Sequence, residues 1–235
     1  SLKKNITLQN YKMSKFETIN FRSKPKETFF APEWDYYIFE RKINQINFSN
    51  LANFILNKEE EILKLPATKT DDNKLSDGHT GLGEKSTTAR FGSFNVFNWD
   101  NENIKILKDE ILSFHKDVLE YFKQPLPSEL YIRCWVNIMR KGQQIKPHLH
   151  GTWPYTYLGG HISVQCDNTS THYICPINQI NDPELYSSKN EVGKLTMFQN
   201  NIPHYTDIHN TDKERITIAF DLHTKMLFSN QVKLI

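Results

Sequence analysis

Cysteine is scarce in this chain of 235 residues. Cys134, Cys166 and Cys175 form no C-x-x-C pair, and an odd count does not describe a disulfide framework. A Cys166–Cys175 bridge across a hairpin is not expected, and the composition points to a reduced, cytoplasmic setting. Excess charge is lacking as well: 29 Lys and Arg stand against 27 Asp and Glu, mixed along the chain, so there is no nucleic-acid footprint. No run approaches the roughly 18 apolar residues of a membrane helix, and no charged segment followed by an apolar one opens the chain. Neither a membrane span nor a secretory signal is expected. Ser1 reads as a trimmed end, with Met13 as a candidate natural start. No internal repeat is visible.

What is present suffices for a large packed core, at 38% apolar residues with 12% aromatic. Residues 1–28 are polar and Lys-rich, and read as a loosely ordered arm or an early edge strand. Residues 29–235 read as one domain, with helical support and a long loop over 29–129 and a β core mainly over 130–222. A first helix is expected from a cap at Ser49 or Asn50 to the stop at Pro66. A second, from about Asn101 to Phe122, rests on a stripe through Ile104, Leu107, Ile111, Phe114, Val118 and Phe122 at helical spacing. Between them, residues 71–92 are rich in Gly, Asp, Ser and Thr with almost no apolar anchors, and read either as a mobile lid or as a disordered insertion. Short β-rich runs follow at 130–139, 156–166, 171–175, 194–199, 204–209 and 215–222. Helices first and strands afterwards describe an α+β domain whose C-terminal half is a sandwich or barrel.

The chemistry starts at "KPHLHGTW", Lys146 to Trp153. On an extended strand, residues i and i+2 share a face, so His148 and His150 can aim two imidazoles at one point, a metal-ligand spacing. His204 opens a later strand and Arg215 the next. In "RITIAF", Arg215, Thr217 and Ala219 share one face, and a cation beside a hydroxyl on a barrel strand asks for an anion such as a carboxylate. The full pattern is H-x-H, 53 intervening residues, H, 10 intervening residues, R-x-T.

This pattern resembles the ferrous iron and 2-oxoglutarate-dependent oxygenases, in particular the prolyl-hydroxylase-like members of phages and bacteria. The likeness runs from "YIRCWVNIM" to "ERITIAFDL", a little under half the chain, and includes a W-x-N strand, "YLGGHISV" and a G-x-L-x-x-F run. It implies a double-stranded β-helix core, jelly-roll and cupin-like. Fe(II) would sit on His148, His150 and His204, and 2-oxoglutarate on Arg215 and Thr217, with Asn137 a weaker contact. His150 stands where most of that superfamily has Asp or Glu. Three neutral imidazoles leave the ferrous ion at +2, which a 2-oxoglutarate dianion cancels, so the change does not forbid binding. Asp207 or Asp167 could still complete a two-His, one-carboxylate set, leaving His150 in a supporting role.

The activity the resemblance implies is hydroxylation with release of succinate and CO₂. Its partners are O₂ and a small-molecule or protein substrate that no motif specifies. The metal supplies the oxidant, so no side chain need act as a general base. The alternatives are a cupin-like three-His dioxygenase or isomerase without 2-oxoglutarate, whose substrate carboxylate Arg215 would bind, and a non-catalytic jelly-roll binding module. Of the other histidines, His79, His115, His209 and His223 read as solvated, and His161 and His172 as packing residues, with His161, Ser163 and Gln165 on one face beside the site. Trp135, Trp153, Tyr155 and Tyr157 read as core or rim aromatics.

Overall fold

The computed structural model describes residues 15–177, 180 and 184–235. In chain order the elements are β1 (Glu17–Arg22), β2 (Asp35–Lys42), α1 (Phe48–Leu63), α2 (Glu102–Tyr121), β3 (Tyr131–Met139), β4 (Leu158–Gln165), β5 (Ser170–Ile174), β6 (Leu185–Lys189), β7 (Lys194–Gln199), β8 (His204–Thr206), β9 (Arg215–His223) and β10 (Val232–Lys233). The strands form a seven-stranded sheet in the order β1-β2-β7-β4-β9-β3-β10 and a three-stranded sheet in the order β6-β5-β8. All pairings are antiparallel, and an isolated antiparallel bridge between His148 and His204 adds to the edge of the smaller sheet. This is the α+β jelly roll, a double-stranded β-helix backed by helices.

Both expected helices are present. Asn101 caps α2, its side chain accepting from the Asn103 amide. At α1 the cap is Asn47, two or three residues ahead of the expected Ser49 or Asn50, because its side chain is the one that reaches a free amide, that of Asn50. Helices do not come first, however. β1 and β2 precede them and extend the large sheet, and the arm proposed for residues 1–28 contributes β1 as its edge. In "ETINFR" only Ile19 and Phe21 are buried, and one apolar face is all an edge strand needs, so its polar texture hides it. Residues 1–14 of that arm, with Met13, lie outside the described residues.

β9 shows how the layers divide the labour. All nine of its residues are buried. Ile216, Ile218, Phe220 and Leu222 pack toward a core that includes Leu51 and Ile55 of α1 and Leu107 and Ile111 of α2. The alternate row, Arg215, Thr217, Ala219, Asp221 and His223, faces the space between the two sheets, where it lines a cavity of about 750 Å³. A smaller core with Ile38, Tyr173, Phe198 and Ile202 closes the far end of that space.

Candidate functional site

All six residues singled out for the site, His148, His150, His204, Arg215, Thr217 and Asn137, line this one cavity. His148 and His204 face each other across their bridge, which is closed by His204 N to His148 O at 2.9 Å and His148 N to His204 O at 3.1 Å. The His150 amide donates to Asn200 O at 2.9 Å. One ring nitrogen from each of the three imidazoles lies within 4.8 Å of the other two, a span that one metal ion can bridge.

The other ring nitrogens explain why the imidazoles are poised as ligands. His148 Nδ1 meets Lys146 O at 2.9 Å, His204 Nδ1 meets Ile202 O at 3.1 Å, and His150 Nδ1 meets Asp221 Oδ1 at 2.6 Å. Each partner can only accept, so each Nδ1 carries a proton, which leaves Nε2 as the nitrogen a metal could take. Burial, reinforced by the neighbouring imidazoles, pushes the His148 pKa down to about 4 and that of His204 well below its usual value. Both are therefore neutral at pH 7, as a ligand must be.

Asp221 is the residue that sequence reading passed over. It continues the Arg215-Thr217-Ala219 row, so extending the same count by two would have found it. Burial opposes its ionisation, but the adjacent His150, by charge and by hydrogen bond, and the Arg133 guanidinium, by charge, hold its carboxyl below the usual range. Neither Asp207 nor Asp167 is among the residues that line the cavity. Both line a separate groove, where Asp207 accepts from His172 Nε2 at 2.8 Å and from the Ser170 amide, and Asp167 accepts from Thr211 Oγ1. The carboxylate of this site thus supports a histidine instead of replacing it. Gly159 makes room for the pair: a Cβ there would stand 2.9 Å from His150 Nδ1 and 3.2 Å from Asp221 Oδ1.

At the other end of the row Arg215 is 2% exposed, and its Nε has no hydrogen-bond partner. Burial lowers its pKa to about 10, which leaves it charged at neutral pH. Beside it Thr217 Oγ1 receives Asn137 Nδ2 at 3.3 Å, and Asn137 Oδ1 accepts from Thr88 Oγ1 at 2.7 Å. Asn137 therefore orients Thr217 within a fixed chain. A buried cation without a counter-ion costs free energy, and a carboxylate entering the cavity would offset it.

Residues 133–221 match the sequence profile of the family described as "Putative 2OG-Fe(II) oxygenase". The matched segment runs from β3 to β9. It contains every one of the six residues and Asp221, and the cofactors that the match assigns are Fe(II) and 2-oxoglutarate. No curated protein matches the chain. Among solved structures, a Pseudomonas putida prolyl-4-hydroxylase is similar at 9% identity and TM-score 0.49, covering 76% of this chain and 86% of its own. A 2OG-Fe(II) oxygenase-family oxidoreductase from Burkholderia pseudomallei gives 13% and 0.44, covering 81% and 87%. SnoN, an α-ketoglutarate-dependent epimerase of nogalamycin biosynthesis, gives 9% and 0.49, covering 79% and 76%. At such identities and scores the likenesses leave the reaction to this chain's own residues.

Three histidines read as solvated are buried: His115, His209 and His223. His115 is fully buried on α2, on the Ile111 stripe, and shares a 2.7 Å hydrogen bond with Tyr157 Oη. His209 meets Lys213 O at 2.6 Å, and His223 ends the cavity-facing row of β9. His161 also reaches the cavity and bonds Tyr173 Oη at 2.8 Å, whereas a bulge between Ser163 and Gln165 breaks the shared face expected for them. Trp135 is buried on the cavity wall, while Trp153 and Tyr155 are exposed. All three cysteines are free. Among the described residues no helix is long and apolar enough to cross a membrane.

The loop over 71–92 is not an unanchored insertion. Thr87 Oγ1 donates to Val136 O at 2.9 Å, Thr88 to Asn137, and the Lys146 amide to Thr80 O at 2.7 Å, while Ser76, Asp77 and His79 line the cavity. Its anchors are hydroxyl and backbone groups, which an inventory of apolar residues overlooks.

Proposed function

We propose that this oxygenase hydroxylates an organic substrate, using Fe(II), 2-oxoglutarate and O₂. When bound, the iron and its cosubstrate supply the oxidising power: one oxygen atom enters the substrate C–H bond, and the other leaves in succinate as CO₂ is released. His148, His150 and His204 would hold the metal through Nε2, each turned by its Nδ1 acceptor. Arg215 and Thr217 would hold the far carboxylate of 2-oxoglutarate, with Asn137 fixing the Thr217 hydroxyl. Asp221 orients His150. The loop over 71–92, with Ser76, Asp77 and His79 on the cavity wall, would serve as the lid that keeps water from the cavity.

The observation that carries this reading is the coincidence, in one cavity, of three imidazoles within 4.8 Å and a buried arginine whose Nε lacks a partner. The metal alone would explain the first and not the second. Anaerobic titration tests both halves. The wild type is expected to bind one Fe(II) per chain and then one 2-oxoglutarate, read by elemental analysis and calorimetry, and His148→Ala or His204→Ala to lose the metal. Full metal occupancy in either variant would remove the metal centre. Metal binding with no affinity for 2-oxoglutarate would turn the assignment to a three-His enzyme whose Arg215 takes a substrate carboxylate.

A further inference from the structure

A second arginine faces the same cavity, and neither metal nor cosubstrate accounts for it. On β3 the cavity-facing row is Arg133, Trp135 and Asn137, which pair across the strands with Asp221, Ala219 and Thr217. Asn137 stands at the Arg215 end. Arg133 stands at the opposite end, and its partner position in register is six residues along β9 from Arg215, about 20 Å of strand at roughly 3.3 Å per residue. The two arginines therefore address different parts of the cavity.

Arg133 is 8% exposed, and its Nε has no hydrogen-bond partner. Its guanidinium lies over two rings, 4.0 Å from the centroid of Phe228 and 4.9 Å from that of Phe91, which fixes the plane of the fork. The acid opposite in register is Asp221, whose charge acts on Arg133 through space, but Asp221 Oδ1 is bonded to His150 at 2.6 Å, and among the described residues Arg133 makes no ion pair within 4.0 Å. His223, the next residue of the β9 row, also leaves its Nδ1 without a partner. A cation this deep is retained against a desolvation cost that rings offset only in part. Arg133 lines the cavity, so an anion there can reach it.

We infer that Arg133 is a substrate-binding residue and that the substrate carries an oxyanion, a carboxylate or a phosphate, on an apolar body that rests against Trp135, Phe91 and Phe228. The inference rests on the oxygenase reading for the word substrate, but the anion site stands on its own geometry. Arg215 would then anchor the cosubstrate at one end of the cavity and Arg133 the substrate at the other, with the histidines between.

The test uses the full chain loaded with Zn(II) as a diamagnetic substitute and saturated with 2-oxoglutarate, titrated with phenylacetate, phenyl phosphate and neutral phenylacetamide by ligand-observed NMR. One of the two anions is expected to bind at least about tenfold tighter than the amide, as a charge-assisted fork contact requires. Which anion it is tells the carboxylate source from the phosphate source. Arg133→Met, which keeps the volume between the rings, is expected to erase that preference while 2-oxoglutarate remains bound. Equal affinity for all three probes in the wild type, or a preference that survives Arg133→Met, overturns the inference. Should the Met variant not fold, wild-type crystals soaked in phenyl phosphate decide: phosphate on the Arg133 fork supports the site, and phosphate elsewhere overturns it. Loss of 2-oxoglutarate binding with the Arg133-dependent preference intact would break the proposed function and leave this site standing.

Discussion

Arg41, on β2 against α2, is a half-buried cation and Arg215, in the cavity, a buried one, and they differ in what surrounds them. Arg41 donates to Asp117, which also receives Lys15 Nζ at 2.6 Å, and its guanidinium lies 4.5 Å from the centroid of Phe114. Burial opposes the ionisation of Asp117, but Lys15 and Arg41 together hold its carboxyl below the usual range. That cluster is complete within the chain. Arg215 has hydroxyls and imidazoles for neighbours and an Nε with no acceptor, and Arg133 has two rings and an acid committed elsewhere. The lesson is that burial of a charge does not by itself mark a site. A buried charge whose counter-ion the chain does not supply, and which faces a cavity, does.

Breaking each arginine's surroundings should separate the two cases. Asp117→Ala is expected to have the largest effect on stability, a loss of about 3–5 kcal/mol, because it strands Arg41 in the interior. Urea unfolding followed by circular dichroism reads it, and an unchanged midpoint would mean that Arg41 needs no partner and that the contrast fails. Arg215→Leu should act the other way. It removes a charge that nothing neutralises, so stability is expected to hold or rise, while 2-oxoglutarate affinity falls at least about tenfold, about 1.4 kcal/mol, and metal binding persists. Equal cosubstrate affinity in the two proteins would sink the clamp assignment.

Gly159→Ala is expected to weaken metal affinity by about tenfold, within the range seen when the support of a ligand is disturbed, because its methyl would crowd both His150 and Asp221. A metal titration equal to the wild type would show that His150 does not depend on this packing. The last case concerns His115, whose Nε2 is bonded to Tyr157 Oη within the chain. Burial pushes its pKa from 6.5 down to about 4, so between those values the unfolded chain takes up a proton that the folded chain refuses. Its stabilising contribution is present above pH 6.5 and is lost as pH falls toward 4, at up to about 1.4 kcal/mol per pH unit. His115→Gln should flatten the acid side of the metal-free stability profile relative to the wild type. Two parallel profiles would show that His115 does not titrate this way.

The amino-acid sequence by itself determined the helical stripe of α2, the period-two alternation of β9, the shared face of His148 and His150, and the R-x-T pair. These signals are local, because backbone geometry fixes which side chains share a face over a few residues. Asp221 and His115 were within reach of the same counts, one two positions beyond Ala219 and the other on the Ile111 stripe. Tertiary structure alone decided the rest. It joined β1 and β2 to the large sheet although they precede the helices. It brought His204 against His148 across more than fifty residues, and sent Asp167 and Asp207 to a different groove. It also left the Nε atoms of Arg133 and Arg215 without hydrogen-bond partners. Whether a charge is paired depends on which strands become neighbours, and strand order is a choice among long-range contacts that local periodicity does not encode.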